Sequence, residues 1–376
     1  MPGIVQMPDK KLVGINVDRL KASGGKIKSS AALLIAIVGA FVAGSIVLLI
    51  IGQNPLIAYK ELILGIVGTS YSRADTLVKA TPLLIVAIAI IISFRSDMIN
   101  IGGPGQMIIG AGFTTFVVLQ LNYLPSVVLI TLGLLAGLVA GAIWGGIAGF
   151  LHARFEVNEI LSTTMLNYVA IQIMNYLLRG PMIDPVQIEQ GTRIAQSPPI
   201  PVESYLPRLM PPTRLHGGLI IALVITVLAY FFLWRTTIGF RMRAVGAGKR
   251  ACKFAGINVA VYSALALTIS GALCGLAGAI EILGVHHRMM DGIEGGYGFS
   301  GIVVALFADL NPFGAIVSSV LFGGLLVGAN AMQRAVQIPS TMVEMLNGFV
   351  LLFVLARSVL VGRKKIPTSE VTLEET

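Results

Sequence analysis

Residues Thr236–Asn258 read TTIGFRMRAVGAGKRACKFAGIN, and the chain on either side is organised by what this stretch is. It carries Arg241, Arg243, Lys249, Arg250 and Lys253 without one acid, between two long apolar blocks. Basic residues beside apolar spans mark the cytoplasmic side of a membrane. From Gly248 the pattern predicts a helix, with Ala251, Phe254, Ala255 and Asn258 at the i, i+3, i+4, i+7 spacing of one face. A short helix with an apolar knob and a charged flank suits a groove on another protein; an ordinary solvated cytoplasmic loop is the competing reading. Two nucleotide motifs are excluded here. A P-loop needs glycine and Ser/Thr where this chain has Arg243 and Arg250. Gly246-Ala247-Gly248-Lys249-Arg250-Ala251 fits a dinucleotide fingerprint in letters only, because the chain runs on into the apolar block 259–269 instead of a βαβ unit.

Composition puts the rest in lipid. Hydrophobic residues make up 55% of the chain and charged ones 12%, with 43 glycines and a mean hydropathy of +0.85. Such a chain cannot cover a water-facing surface. The net charge of +9 clusters at span ends, which fits membrane orientation and argues against nucleic acid as a partner. Cys252 and Cys274 imply no disulfide framework.

The chain in order predicts an all-α polytopic membrane protein of about ten transmembrane helices, both termini inside. Residues 1–30 form a polar cytoplasmic segment, 31–361 the membrane domain and 362–376 a cytoplasmic tail. The run 31–51 reads as a retained first helix and the mixed stretch 52–79 as external. Asn100-Ile101-Gly102-Gly103-Pro104-Gly105-Gln106 opens the next span with irregular backbone, tolerated at membrane depth only when buried or lining a cavity; a plain tight turn is the alternative. Gly133, Gly137, Gly141, Gly145 and Gly149 stand four apart, as for close helix packing. Glu159, Thr163 and Asn167 make a polar stripe facing either a bundle interior or a water-filled path, with interhelical hydrogen bonding as the competing role.

The proline-rich segment 179–216 reads as an external loop and 236–258 as the cytoplasmic one. His286, His287, Arg288, Asp291 and Glu294 read as a solvated rim without the ligand count of a metal site. Gly295-Gly296-Tyr297-Gly298 leads into an apolar run too short to span comfortably, a short or broken helix of the kind that borders transport sites. The final span, 341–360, carries Glu344 and Asn347 on one face. No nucleophile–base pair or ligand cluster appears, so an enzyme or a bound cofactor is not expected. A transporter subunit powered by a separate ATPase and an ion-coupled secondary transporter of a small polar solute remain in competition.

The segments FRSDMINIGGPGQMIIGA (94–111), VNEILSTTMLNYVA (157–170), GFRMRAVGAGKRACKFAGINV (239–259) and GGYGFSGIVVALFADLNPFGA (295–315) resemble the permease subunits of bacterial ABC importers. The likeness is to the branch grouping simple-sugar, nucleoside and branched-chain amino acid permeases, nucleoside-type members above all. One departure is Pro104, where relatives commonly carry an acid. The resemblance implies a bacterial inner-membrane protein that pairs with ABC ATPase subunits, a second permease, identical or related, and an extracytoplasmic binding protein. It makes Gly239, Arg241, Arg243, Gly246, Arg250, Ala251, Phe254 and Gly256 the ATPase-coupling residues. The break at Asn100–Gln106 is placed in the core of the pathway, with Asn100, Gln106, Thr163, Asn167, Glu344 and Asn347 as candidates to meet a neutral cargo.

Overall fold

The structure, a computed structural model, describes residues 29–338 and positions 345, 348, 349 and 352. Glu344 and Asn347, the rest of the predicted last span apart from those four positions, and residues 1–28 and 361–376 lie outside the described residues. The chain divides into two units, Met1–Ile46 with Gly348–Thr376, and Val47–Asn347. From the first, helix α1 (Ser29–Ile50) runs on into the second.

Within the second unit the described elements are helical and contain no named strand. They are α2 (Pro55–Val67), α3 (Ser70–Phe94), α4 (Gly103–Gln120), α5 (Ser126–Phe155), α6 (Glu159–Arg179), α7 (Pro185–Glu189), α8 (Gly218–Arg235), α9 (Thr237–Ala247), α10 (Lys249–Phe254), α11 (Val259–Glu281), α12 (Tyr297–Phe307) and α13 (Pro312–Val336). Among the described residues five helices are long and apolar enough to cross a membrane: α3, α5, α8, α11 with its π-turn to His286, and α13. That makes the chain a multi-pass membrane protein.

Helix α3 is the axis. Every residue from Leu83 to Ile92 is buried, and a helix apolar all round is an interior helix. It packs against α8, α11, α12 and α13. Beside it, α5 and α11 cross on their glycines. A Cβ at Gly145 would stand 2.5 Å from the Leu267 carbonyl oxygen, and one at Gly149 2.8 Å from that of Ala264. Lipid provides no hydrophobic drive between helices, so this backbone-to-backbone van der Waals contact is what holds the crossing. The four-residue glycine period is therefore a packing seam, as expected.

The mixed stretch 52–79 is largely helical. It contains α2 and the first turns of α3; Ala58, Leu62 and Gly65 of α2 turn inward toward α13 while Lys60 stays exposed. Lys60 and Glu61 depress the local hydropathy without touching the buried face, which is why the helix is hidden in composition.

The rim 286–294 is not freely solvated. His287 stacks on Tyr205 at 3.6 Å between ring centroids and 12° between planes. Burial, with Arg208 beside it, holds the His287 pKa down to about 4, so the stacked ring is neutral at neutral pH. His216 is also held below the usual histidine range by burial, against a smaller upward pull from Glu281. The proline-rich segment folds back over this end: Ser197 N–H donates to Met289 O at 2.8 Å, and Leu206 N–H to Leu283 O at 2.9 Å.

Candidate functional site

The break before α4 is built from amides. Residues 98–102 are irregular, and α4 starts at Gly103 with Pro104 in its first turn, where a missing N–H costs nothing. Asn100, fully buried, holds the turn together. Its Nδ2 donates to Gln106 Oε1 at 3.0 Å and to Ser270 Oγ of α11 at 2.8 Å; its Oδ1 accepts from Gly102 N at 2.9 Å and from Gln106 Nε2 at 3.2 Å. Helix α6 grips the same loop. Asn167 Oδ1 accepts from Gly105 N at 2.9 Å, and Asn167 Nδ2 donates to Ile101 O at 3.0 Å. Ile101 N–H donates to Thr163 Oγ1 at 3.4 Å, while that hydroxyl donates to Glu159 O at 2.6 Å. Glu159 itself faces His152 Nδ1 at 3.4 Å.

The structure thus brings Asn100, Gln106, Thr163 and Asn167 into one buried network. Their polar atoms are used by each other and by the backbone of the break. Buried peptide groups in lipid must find such partners. Replacing Asn167 by Leu would orphan Gly105 N–H and Ile101 O, at about 1–3 kcal/mol for each group left unpaired. We expect transport to fall well below that of wild type in reconstituted vesicles while the complex still assembles; normal uptake would remove Asn167 from the working parts.

A second break meets the first. Gly296, at φ 77°, a backbone shape glycine alone adopts freely, starts α12. A Cβ on Gly103 would stand 3.1 Å from Gly298 O, so the N-terminal ends of α4 and α12 abut. The short helix entered through glycines is therefore present, and its start lies against the Asn100–Gln106 turn.

The basic stretch is two helices where one was expected. Thr236 caps α9 by accepting Gly239 N–H at 3.1 Å, and Gly239 lets the backbone fold tightly against Phe232–Leu233. Met242 and Val245 are the buried anchors. Arg243 Nε donates to Leu233 O at 2.9 Å, at the end of α8 where unpaired carbonyls favour a cation. The Arg243 and Arg95 guanidinium groups both lie over Trp234, at 5.5 and 5.4 Å. Arg241 donates to Tyr262 Oη at 2.8 Å. After extended Gly248 the chain turns into α10, which ends at Phe254 because Gly256 adopts φ 75°. Asn258 does not continue that helix; it caps α11 through Val261 N–H at 3.2 Å.

Helix α10 buries Cys252, while Arg250, Ala251, Lys253 and Phe254 are exposed. Phe254 is 95% exposed. The root of the helix is tied down: Lys249 Nζ meets Asp97 Oδ2 at 2.9 Å, and Gly246 lies against the backbone of Arg95–Asp97. Arg95 in turn donates to Leu310 O through Nη2 at 2.9 Å, reaching the turn between α12 and α13. From Asp97 the backbone continues directly into residues 98–102 and Asn100. Phe254 is therefore joined through Lys249, Asp97 and Arg95 to the break before α4 and to the turn between α12 and α13.

Arg95, Asp97, Trp234 and Ser270 are not singled out from the sequence; Arg95 meets Trp234 and Leu310, Asp97 meets Lys249 and Ser270 meets Asn100, each across more than a hundred residues. Sequence reasoning also passed over Glu281, buried at the end of α11 with its carboxylate 3.3 Å from His286 Nε2. An acid inside an apolar span was the available signal for it.

A helical bundle with membrane-length apolar helices, a buried polar helix break and an exposed cationic knob has the make-up of a transporter's membrane subunit. The family described as "Branched-chain amino acid transport system / permease component" matches residues 72–355, and the chain belongs to it. The chain is thus an ABC transporter permease subunit, a transport component. It is 34% identical over 322 residues to the guanosine ABC transporter permease protein NupP of Bacillus subtilis, covering 85% of this chain and 91% of that protein. The glucose ABC transporter permease protein TsgB13 of Haloferax volcanii is 29% identical over 86% of each chain. The nucleoside ABC transporter permease protein NupB of Lactococcus lactis is 28% identical over 90% of this chain and 95% of its own. No solved structure matches the chain significantly.

Proposed function

We propose that this permease imports a nucleoside, with a simple sugar as the second reading, by alternating access driven by separate ATPase subunits. The nucleoside relatives NupP and NupB support the first cargo and TsgB13 the second. A second permease subunit completes the membrane part, and an extracytoplasmic binding protein delivers the cargo. The α9–α10 end and both chain termini face the cytoplasm, the side basic segments prefer.

The observation that carries the reading is the free Phe254 ring on a helix whose root is locked to Asp97 and Arg95. An exposed aromatic on a rigid stub serves as an anchor for a pocket on another protein. When nucleotide binding draws the ATPase subunits together, a force on α10 passes to the α3–α4 break and to the α12–α13 turn. Asn100, Gln106, Thr163 and Asn167 then act as the hinge frame that keeps the break intact while it moves.

The test is uptake of labelled guanosine into vesicles holding the whole assembly. Uptake that requires ATP and survives collapse of proton and sodium gradients is expected. Uptake driven by an ion gradient without ATP would instead make this an ion-coupled carrier.

A further inference from the structure

Helix α6 has two faces of opposite use. Thr163, Asn167, Ala170, Met174 and Leu178 are buried against α4 and α5. Thr164, Tyr168, Gln172, Asn175, Tyr176 and Arg179 fall within an arc about 120° wide that begins about 60° from Asn167, counting 3.6 residues per turn, with the exposed Leu161 and Met165 as its apolar members. Tyr168, Gln172, Tyr176 and Arg179 are exposed, and Thr164 and Asn175 are half-buried. Gln172, Asn175, Tyr176, Arg179 and Gly180 line a recess of about 490 Å³.

Depth decides what this face can meet. Ala170 packs with Ala140 and Ile109, next to Trp144, and Ala140 is in the middle of the 30-residue span α5. Tyr168 and Gln172 flank Ala170, so they stand at the same level, too deep for the aromatic belts at a membrane surface. At 21 residues α6 is long enough to cross, yet it is not among the helices apolar enough to do so. A stripe of hydroxyls and amides at that level does not face lipid; such groups face water-filled paths or other helices.

We infer that this face of α6, resting on the permease reading above, is the wall of the cargo passage and makes the direct contacts with cargo. The occupant is a neutral, flat heterocycle bearing hydroxyls. Tyr168 and Tyr176 stand eight residues apart with Gln172 between them, one side chain per turn and about 6 Å of rise at each step. Aromatic faces stack a ring regardless of its identity, and the Gln172 and Asn175 amides offer both donors and acceptors to its edge. Nothing charged interrupts the stripe before Arg179, so a neutral cargo is never trapped on it. The network around Asn167, on the opposite face, then shapes the passage without lining it.

Cysteine labelling of the assembled transporter tests the inference. Gln172→Cys, Tyr168→Cys and Tyr176→Cys are introduced singly with Cys252 and Cys274, both buried, replaced by alanine. Ile143→Cys, on the exposed apolar surface of α5, is the lipid control. A membrane-impermeant, charged methanethiosulfonate is expected to modify the three α6 positions and leave position 143 untouched. Guanosine is expected to slow the reaction at 172. Gln172→Leu is expected to lower guanosine uptake about tenfold with the ATPase subunits still copurifying. If all three α6 cysteines are as inert as the one at 143 in assembled complexes, the stripe is packing against the second subunit and the inference falls. That result leaves the ATP-driven reading standing, whereas gradient-driven uptake with normal labelling removes the ATPase and keeps the passage.

Discussion

Replacing Phe254 by aspartate is expected to abolish cargo-stimulated ATP hydrolysis and to release the ATPase subunits during purification. The ring is 95% exposed, so the folded chain loses nothing by its removal. An aromatic anchor seated in a partner's pocket contributes about 2 kcal/mol or more to binding, roughly a thirtyfold weakening on truncation, and a buried carboxylate in its place adds a desolvation cost. The thermal stability of the isolated subunit should match wild type. Arg250→Ala or Lys253→Ala should matter far less, because exposed ion pairs contribute about 0–1 kcal/mol. The Lys249–Asp97 pair is itself partly exposed and belongs to the same range, so the locking of α10 rests chiefly on Gly246 against the α3 end. A Phe254→Asp variant whose ATP hydrolysis still responds to cargo would remove the knob from the mechanism.

The largest stability effect is expected at Gly275. This residue of α11 is pressed from two sides: a Cβ there would stand 2.7 Å from Gly141 Cα, and Gly110 of α4 already lies against its backbone. Valine would drive three helix backbones apart. Overpacking a tight interior costs about 1–3 kcal/mol, and here no flexible side chain is present to give way. Gly275→Val should lower the unfolding midpoint sharply and leave little assembled complex after extraction. Gly146→Ala, beside the seam and facing the same helix α11, is the control. Its Cβ would lie 3.3 Å from Thr268 Oγ1, a neighbour that can shift, so near wild-type stability is expected. Equal behaviour of the two variants would mean that the seam is not held by backbone contact.

Much of this layout is legible in the letters because lipid imposes strict rules. The four-spaced glycines of α5, the glycine-led start of α12, the amide-rich turn at Asn100–Gln106 and the apolar residue Phe254 among basic ones each leave a local signature in the sequence. What is not legible depends on partners far away in the chain. Lys60 and Glu61 disguise α2, since composition does not record which face is buried. Spacing alone extends α10 to Asn258, because a left-handed glycine interrupts a helix without disturbing its apolar period. The stripe Glu159–Thr163–Asn167 is visible, but its role changes once Gly105 and Ile101 are seen to occupy the Asn167 amide. The opposite stripe of α6 becomes meaningful only when the first is known to face inward.

The most direct measurement places a photoreactive benzoylphenylalanine at position 254 in the intact transporter and identifies its adducts by mass spectrometry. An adduct with the ATPase subunit, lost when Gly246→Val disturbs the root of α10, is the predicted result. An assembly in which the ATPase copurifies but position 254 reacts with nothing except solvent or lipid would contradict it.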